Sequence, residues 1–419
     1  MFPNVYFASE AELVTNYLVT SMGAEVSRDI SGWKEIDWKK LTELNTKKLQ
    51  RMMRENEVDA LIVQTLDNFQ YVTGYRVPSS INLMHYLHRQ AAILPAKGDE
   101  PIMLAGAADI FDAKHFHWIA DVRPMPIQVE LWPKIVKSAL DDHGIVGTIA
   151  LDSRMQHGLA EGIKRELGEK YRFVSGSEML ESARAVKNDE EVKAYIRALA
   201  LAEVQMRAAR DAVREGVSED HVAAVAEYAM RMADPDAFPA WTLFVMSGER
   251  SAYLQRYPSS KIIRRGEIVM IDGGCHWNGY YSEFSRHVMV GEPSAEQKRI
   301  YAVAFEAEQK AVEAIKPGVK ASTIDKIARG VIKDAGYEKY QHPHITGHGH
   351  GLEIHDPPLI GDPGQVKEWV FEKGMIVAVE PGVFKPGVGG VREEDVVLVT
   401  ESGHEVLTRA EYENKLLAK

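Results

Sequence analysis

The chain has a single cysteine, Cys275, in 419 residues, so no internal disulfide framework braces it. That scarcity fits a reducing compartment, and a cytoplasmic location is expected. No apolar run reaches the roughly 18 residues that a membrane helix needs, so a membrane-spanning helix is not expected. The stretch from Met1 to Asn16 has neither a basic start nor an apolar core and does not read as a signal peptide. Positive charge is scarce too: 50 Lys and Arg face 61 Asp and Glu, a net charge of -11. A nucleic-acid partner is not expected, because neutralising phosphates needs clustered Lys and Arg. What remains is a globular composition, 45% hydrophobic and 26% charged, without low-complexity tracts. The length exceeds one ordinary core and suggests two or three domains.

Residues 1–36 read as an extension that docks on something, since Phe2, Val5, Tyr6 and Phe7 are too apolar for a free tail and Trp33 and Trp38 bracket its end. A first α/β segment follows, 37–183. Leu41, Leu44, Leu49 and Met52/Met53 recur at helical spacing over 39–55, and Ala60–Val63 reads as a buried strand. Asn68–Tyr75 reads as a short helix closed by Gly74, and Gln90–Leu94, Pro101–Leu104 and Ile149–Asp152 as further strands. A helix is expected over His157–Leu167. The domain boundary is placed at Arg184–Lys187, giving a second domain over 184–419. There Asn188–Glu191 caps a long helix running to Val213, Ser294-x-x-Gln297 opens another as a capping box, and Ser322-x-x-Asp325 opens a third that ends at Gly336. Strands are expected at Ile268–Ile271, Tyr280–Val290, Met375–Val379 and Val391–Val399. Helices alternating with hairpin-type strands point to an α+β fold with a curved mixed or antiparallel sheet.

Four segments of this half place acids or imidazoles beside glycine. Ile271-Asp272-Gly273-Gly274 ends a strand, and Glu283 lies eleven residues on, where a hairpin over Cys275–Gly279 would bring it opposite Asp272. The third segment is the run Gly347-His348-Gly349-His350-Gly351-Leu352-Glu353-Ile354-His355-Asp356-Pro357-Pro358. The fourth is a pair of strands carrying Glu380-Pro381-Gly382 and Arg392-Glu393-Glu394-Asp395. One carboxylate in an apolar strand such as Ile376–Glu380 is explained equally well by a salt bridge to an arginine. Several acids and a histidine in that setting are explained more simply by a shared cation. Oxygen-rich ligation with an imidazole favours Mn, Fe, Co or Zn, and two such ions can activate water and polarise a carbonyl together.

As a set, these motifs resemble the signature of the prolidase, aminopeptidase P and creatinase superfamily, and residues 39–180 resemble its creatinase-type N-terminal domain. The resemblance implies a C-terminal pita-bread fold binding two divalent metal ions. It implies Asp272 on one metal, Glu283 bridging both, His348 and Glu380 on the second, and Glu394 bridging again. It also implies Glu380 as general acid/base for the attacking water and His355 as a contact to the substrate or its developing oxyanion. A dipeptide or small-molecule substrate and a homodimer follow from the same likeness. In creatinase-like dimers, residues of the polar-aromatic cluster formed here by Tyr75, Arg76 and His85–His88 reach the partner's site, which makes Arg76 a substrate-binding candidate.

Three positions depart from the family. Glu283 stands where it has Asp, a side chain longer by about 1.5 Å, which is large against ligand tolerances of about 0.2 Å. Metal is still expected, since the other four ligands are kept. Arg250 and Gln255 stand where peptidases have Asn and His, and an arginine fork suits a small carboxylate. His350 fills a position that is often aliphatic and is a candidate pocket residue. The leading reading is a metal-dependent hydrolase of a C–N bond, in an Xaa-Pro dipeptide or a small amide. Open beside it stand a lyase acting on a small carboxylate, of the dimethylsulfoniopropionate type, a metal-free creatinase-like amidinohydrolase, and an inactive binding protein on the same scaffold. Cys275 is expected to be a buried inert thiol. His344 is a candidate for an outer contact to a ligand, and Trp241 and Phe244 for the pocket wall or the core.

Overall fold

The computed structural model describes residues 36–77, 90–98, 100–106, 109–254 and 256–417. The N-terminal extension up to residue 35, His85–His88 and Gln255 lie outside them. The chain divides into two compact units, and the change falls between Glu191 and Val192. No helix among the described residues is long and apolar enough to cross a membrane.

The first unit is built on a six-stranded mixed sheet of β1 (Ala60–Val63), β2 (Ala91–Pro95), β3 (Ile102–Gly106), β4 (Val122–Met125), β5 (Thr148–Leu151) and β6 (Arg172–Ser175), in the order β4-β3-β2-β1-β5-β6. Ala60, Leu61, Ile62 and Val63 are all fully buried, as expected of a strand covered on both faces. The helix Trp38–Glu55 buries Leu41, Leu49 and Met53, while Leu44, expected on the same face, is exposed. The helix Leu66–Thr73 ends on Gly74 at φ 69°, the left-handed conformation that glycine adopts without a Cβ clash. Buried Arg184 holds Asp67 and Asn68 from the last turn of the helix Ser177–Ala185.

The second unit pairs its strands antiparallel. One sheet holds β7 (Ala237–Pro239), β10 (Cys275–Trp277) and β11 (Tyr280–Tyr281), and another β8 (Phe244–Ser247), β9 (Ile268–Gly273) and β12 (Phe284–Met289). A five-stranded sheet runs β14-β13-β15-β18-β19, from β13 (Gly347–Gly349), β14 (Asp356–Ile360), β15 (Ile376–Val379), β18 (Asp395–Val399) and β19 (His404–Val406). β16 (Gly382–Lys385) and β17 (Gly389–Arg392) form a hairpin. The long helix starts earlier than expected, at Asp189, because the Asn188 side chain accepts the backbone N–H groups of Glu190 and Glu191 and so acts as its cap. The capping box of Ser294 and Gln297 is present on the helix Ala295–Glu313. Ser322 is not a cap: the helix begins at Ala321, and the Ser322 hydroxyl donates to Glu368 instead.

Two long strands expected from the sequence are each broken in two, and the breaks fall at acids. The run from Tyr280 is interrupted at Ser282–Glu283, and the run to Val399 at Glu393–Glu394. A regular strand would send alternate side chains to opposite faces, whereas a break re-aims one without moving the rest. The hairpin is also registered differently. Ser285, not Glu283, lies opposite Asp272, and Asn278 and Gly279, both at positive φ, make the two-residue turn between Trp277 and Tyr280. Glu283 reaches Asp272's neighbourhood because Gly274 has no side chain; a Cβ there would stand 1.7 Å from the Ser282 carbonyl oxygen.

Candidate metal centre

The sequence-predicted ligands sit at or beside strand ends and breaks of the second unit, apart from His348, which lies inside a three-residue strand. Asp272 is the penultimate residue of β9, clamped between β8 and β12. His348 is the middle residue of β13, paired with Ala378 and Leu359, and the register slips between it and Gly349. Glu380 follows β15, where its N–H donates to the Thr346 carbonyl at 2.8 Å. Glu394 lies in the gap between β17 and β18. All four, and Glu283 with them, are buried. Glu283, His348, Glu380, Arg392, His344, His355 and Leu254 are among the residues lining a cavity of about 320 Å³, near the small end of the range for ligand sites.

The geometry is that of a converging set. His348 Nε2 stands 3.7 Å from Glu283 Oε2 and 3.5 Å from Glu380 Oε1. Its Nδ1 donates to the Gly349 carbonyl at 3.2 Å, so the Nε2 lone pair faces the acids. Among the described residues, Glu283, His348, His350 and Glu394 each offer a donor atom within 4.8 Å of the others. Asp272 Oδ1, Glu283 Oε2, His348 Nε2 and both Glu394 oxygens are buried without a hydrogen-bond partner. Buried acceptors left in this state are expensive, at about 1–3 kcal/mol each and more when charged. A divalent cation satisfies those of Glu283, His348 and Glu394, which converge in one group, so that donor set fits such an ion; Asp272 and Glu380 are not part of the group and are joined to each other through Arg392.

The sequence reading gave no role to Arg392, which lies in the last motif between the acids. Its guanidinium contacts Asp272, donates to Glu380 Oε2 at 2.8 Å, and stands 4.0 Å from Glu394 Oε2. Burial opposes its charge, but Asp272 and Glu380 hold its pKa above the ordinary value. One guanidinium facing four carboxylates leaves the centre with excess negative charge. Burial accordingly pushes Glu283 and Glu394 well above 4.5, and neighbouring acids push further. Asp272 and Glu380 are also raised by burial, against the offsetting pull of Arg392. Burial holds His348 well below its usual value, neutral and able to donate a lone pair.

The other candidates divide. His355 lines the cavity, its ring 4.3 Å from that of His348. His344 lines it too, and burial followed by the nearby Arg392 lowers it to about 4. His350 is fully buried, with Nδ1 2.6 Å from the Tyr195 hydroxyl and Nε2 3.8 Å from Glu283 Oε2. Arg250 does not line the cavity. Glu219 holds its Nε at 3.0 Å, and its Nη2 donates to the Tyr257 carbonyl at 2.8 Å. Arg76 is half-buried and belongs to the first unit. Trp241 and Phe244 pack on each other, 6.0 Å apart, and do not line the cavity. Cys275 is fully buried, and burial raises its pKa, as an inert thiol requires.

The raised carboxylates set a pH dependence. The folded, metal-free protein retains protons on Glu283 and Glu394 that the unfolded chain releases near 4.5, so stability drops as pH rises through and above that value. Melting with chelator at pH 5 and pH 7.5 is expected to show this group's loss at the higher pH. Metal binding must also expel those protons. Calorimetric titration of Mn²⁺ in two buffers of different ionisation enthalpy is therefore expected to report proton release, and equal heats in both would contradict it.

Comparison with known proteins bears on the same regions. The family described as metallopeptidase family M24 matches residues 193–401, and the creatinase/prolidase N-terminal domain matches residues 46–186. An Xaa-Pro dipeptidase of Pyrococcus horikoshii is 32% identical over 367 residues, 88% of this chain and 97% of its own length. That of Lactobacillus helveticus is 30% identical over 377 residues, 89% of this chain and 99% of its own. Among solved structures, the prolidase from Pyrococcus horikoshii OT3 superposes with a TM-score of 0.77 at 31% identity, covering 88% of this chain and 99% of that one. The Xaa-Pro dipeptidase from Bacillus anthracis also gives 0.77, at 27% identity, over 89% and 99% of the two chains. The creatinase-type N-terminal domain and the pita-bread domain expected from the sequence are both borne out.

Proposed function

The chain belongs to metallopeptidase family M24, alongside the Xaa-Pro dipeptidases, and from that premise we propose that it hydrolyses the C–N bond of an Xaa-Pro dipeptide. The observation that carries this reading is the convergence of Asp272, Glu283, His348, Glu380 and Glu394 from separate segments, with all four acids raised in pKa and the histidine buried and underbonded beside a cavity of about 320 Å³. These five side chains would hold two divalent ions, drawn from Mn, Fe, Co or Zn. When bound, such ions act as Lewis acids that polarise a carbonyl and make water more acidic.

The chain's own groups supply the rest. Glu380 takes a proton from the attacking water and returns it to the departing nitrogen. Arg392 fixes Glu380 and Asp272 in place. His355, on the cavity wall, donates to the developing oxyanion. The alternative of a small-carboxylate lyase leaned on Arg250 and Gln255; the Arg250 fork is engaged by Glu219 and the Tyr257 carbonyl, Gln255 lies outside the described residues, and the relatives above give the alternative no support. We also propose a homodimer and a cytoplasmic location. The family likeness supports the first, the single cysteine the second.

A panel of Xaa-Pro and Xaa-Ala dipeptides, small amides and amidines, assayed with each metal, tests the reading. Proline release from Xaa-Pro substrates is the expected result; turnover confined to amides or amidines would overturn it. In the same assay His355→Ala is expected to lower kcat by about 10²–10³, the usual loss of an oxyanion donor, with metal content unchanged.

A further inference from the structure

We infer that His350 is itself a metal ligand, so that this centre carries a second imidazole, matched to the longer carboxylate at Glu283. The inference rests on the metal-centre reading above. The two residues that depart from the family pattern in this half of the site meet in space. Glu283 Oε2 lies between two imidazoles, 3.7 Å from His348 Nε2 and 3.8 Å from His350 Nε2. Donors sharing one ion at 2.0–2.2 Å stand at most about 4.4 Å apart, so both separations suit a common cation. An aspartate at 283 would stop short by about 1.5 Å. The same four residues, Glu283, His348, His350 and Glu394, form the metal-capable group that the geometry isolates among the described residues.

The orientation of the His350 ring is fixed from behind. Its Nδ1 lies 2.6 Å from the hydroxyl of Tyr195, a fully buried side chain of the helix Asp189–Ala212, and the two rings stack at 27°. A ligating histidine commonly donates its other ring N–H to such a partner, which sets the tautomer and aims the lone pair. With Nδ1–H donating to the Tyr195 oxygen, Nε2 presents its lone pair toward Glu283. Tyr195 is thus a positioning residue. A merely packed histidine would explain the burial, but not an Nε2 held among three other metal-capable donors.

X-ray absorption of the Zn- or Co-loaded protein reads the number of imidazoles directly. Wild type is expected to lose one imidazole per metal pair in His350→Leu. Affinity for the weaker-bound ion, by competition with a chelator, is expected to fall at least about 100-fold in His350→Leu and about 10–100-fold in Tyr195→Phe, the range for an outer hydrogen-bond partner. An unchanged imidazole count together with unchanged affinity in His350→Leu would overturn the inference. Should His350→Leu fail to fold, wild type alone decides, since a count fitted by His348 only overturns it. Loss of Xaa-Pro turnover with the count intact would strike the proposed substrate and leave the ligand assignment standing. A wild-type protein that takes up no metal would overturn both.

Discussion

Glu380→Gln is expected to reduce kcat on an Xaa-Pro dipeptide by about 10²–10⁴, the contribution of a positioned general acid/base. The amide keeps the shape of the side chain and can still meet Arg392, which now donates to Glu380 Oε2 at 2.8 Å. It cannot carry the proton. Glutamine also donates one negative charge fewer to the centre, so part of the loss could come from weaker metal binding. Assaying at saturating metal and measuring bound metal by mass spectrometry separates the two. Full metal occupancy with kcat down by at least a hundredfold assigns the loss to proton transfer. A variant retaining more than a tenth of wild-type kcat at full occupancy would remove Glu380 from that role.

How far the sequence spoke for the site depended on the kind of signal. The acids and His348 were legible because charge inside apolar strands is costly and recurs four times over. Elements away from the site were legible as well, down to the capping box at Ser294 and the glycine that closes Leu66–Thr73. The breaks at Ser282–Glu283 and Glu393–Glu394 were not. Apolar periodicity runs straight through them, and a break is decided by which side chain must face the centre, a tertiary matter. For the same reason the hairpin register came out differently, with Ser285 opposite Asp272. Arg392 was visible as a letter in a motif, yet its role depends on the distance to Asp272 and Glu380. Tyr195 carries no local mark at all: it is one apolar-face residue of a long helix, and only the fold brings its hydroxyl to His350. Arg250 misled in the opposite sense, because a buried Glu219, thirty-one residues upstream, claims the fork that seemed open to a substrate.

Arg392→Met is expected to destabilise the metal-free protein by about 3–5 kcal/mol, the usual result of removing one partner from a buried ion pair. Methionine fills much of the arginine's volume, so the loss is one of charge more than of packing. Asp272, Glu283, Glu380 and Glu394 would then face each other without the one guanidinium that contacts three of them. The sign of the pH dependence follows. Each of these carboxyls already binds its proton more tightly in the folded state, and losing Arg392 tightens it further. The penalty is therefore largest at neutral pH and shrinks as the pH falls through 4.5 and below, where the acids become neutral in both states. Divalent metal supplies the missing positive charge, so added Mn²⁺ should stabilise the variant by more than it stabilises wild type. Urea unfolding at pH 7.5 and pH 5, with chelator and with Mn²⁺, measures all of this. If the difference between variant and wild type were independent of both pH and metal, Arg392 would be acting through packing alone. A gap that closes with either acid or metal shows that the arginine and the cation answer the same demand, the compensation of a carboxylate cluster the fold has buried.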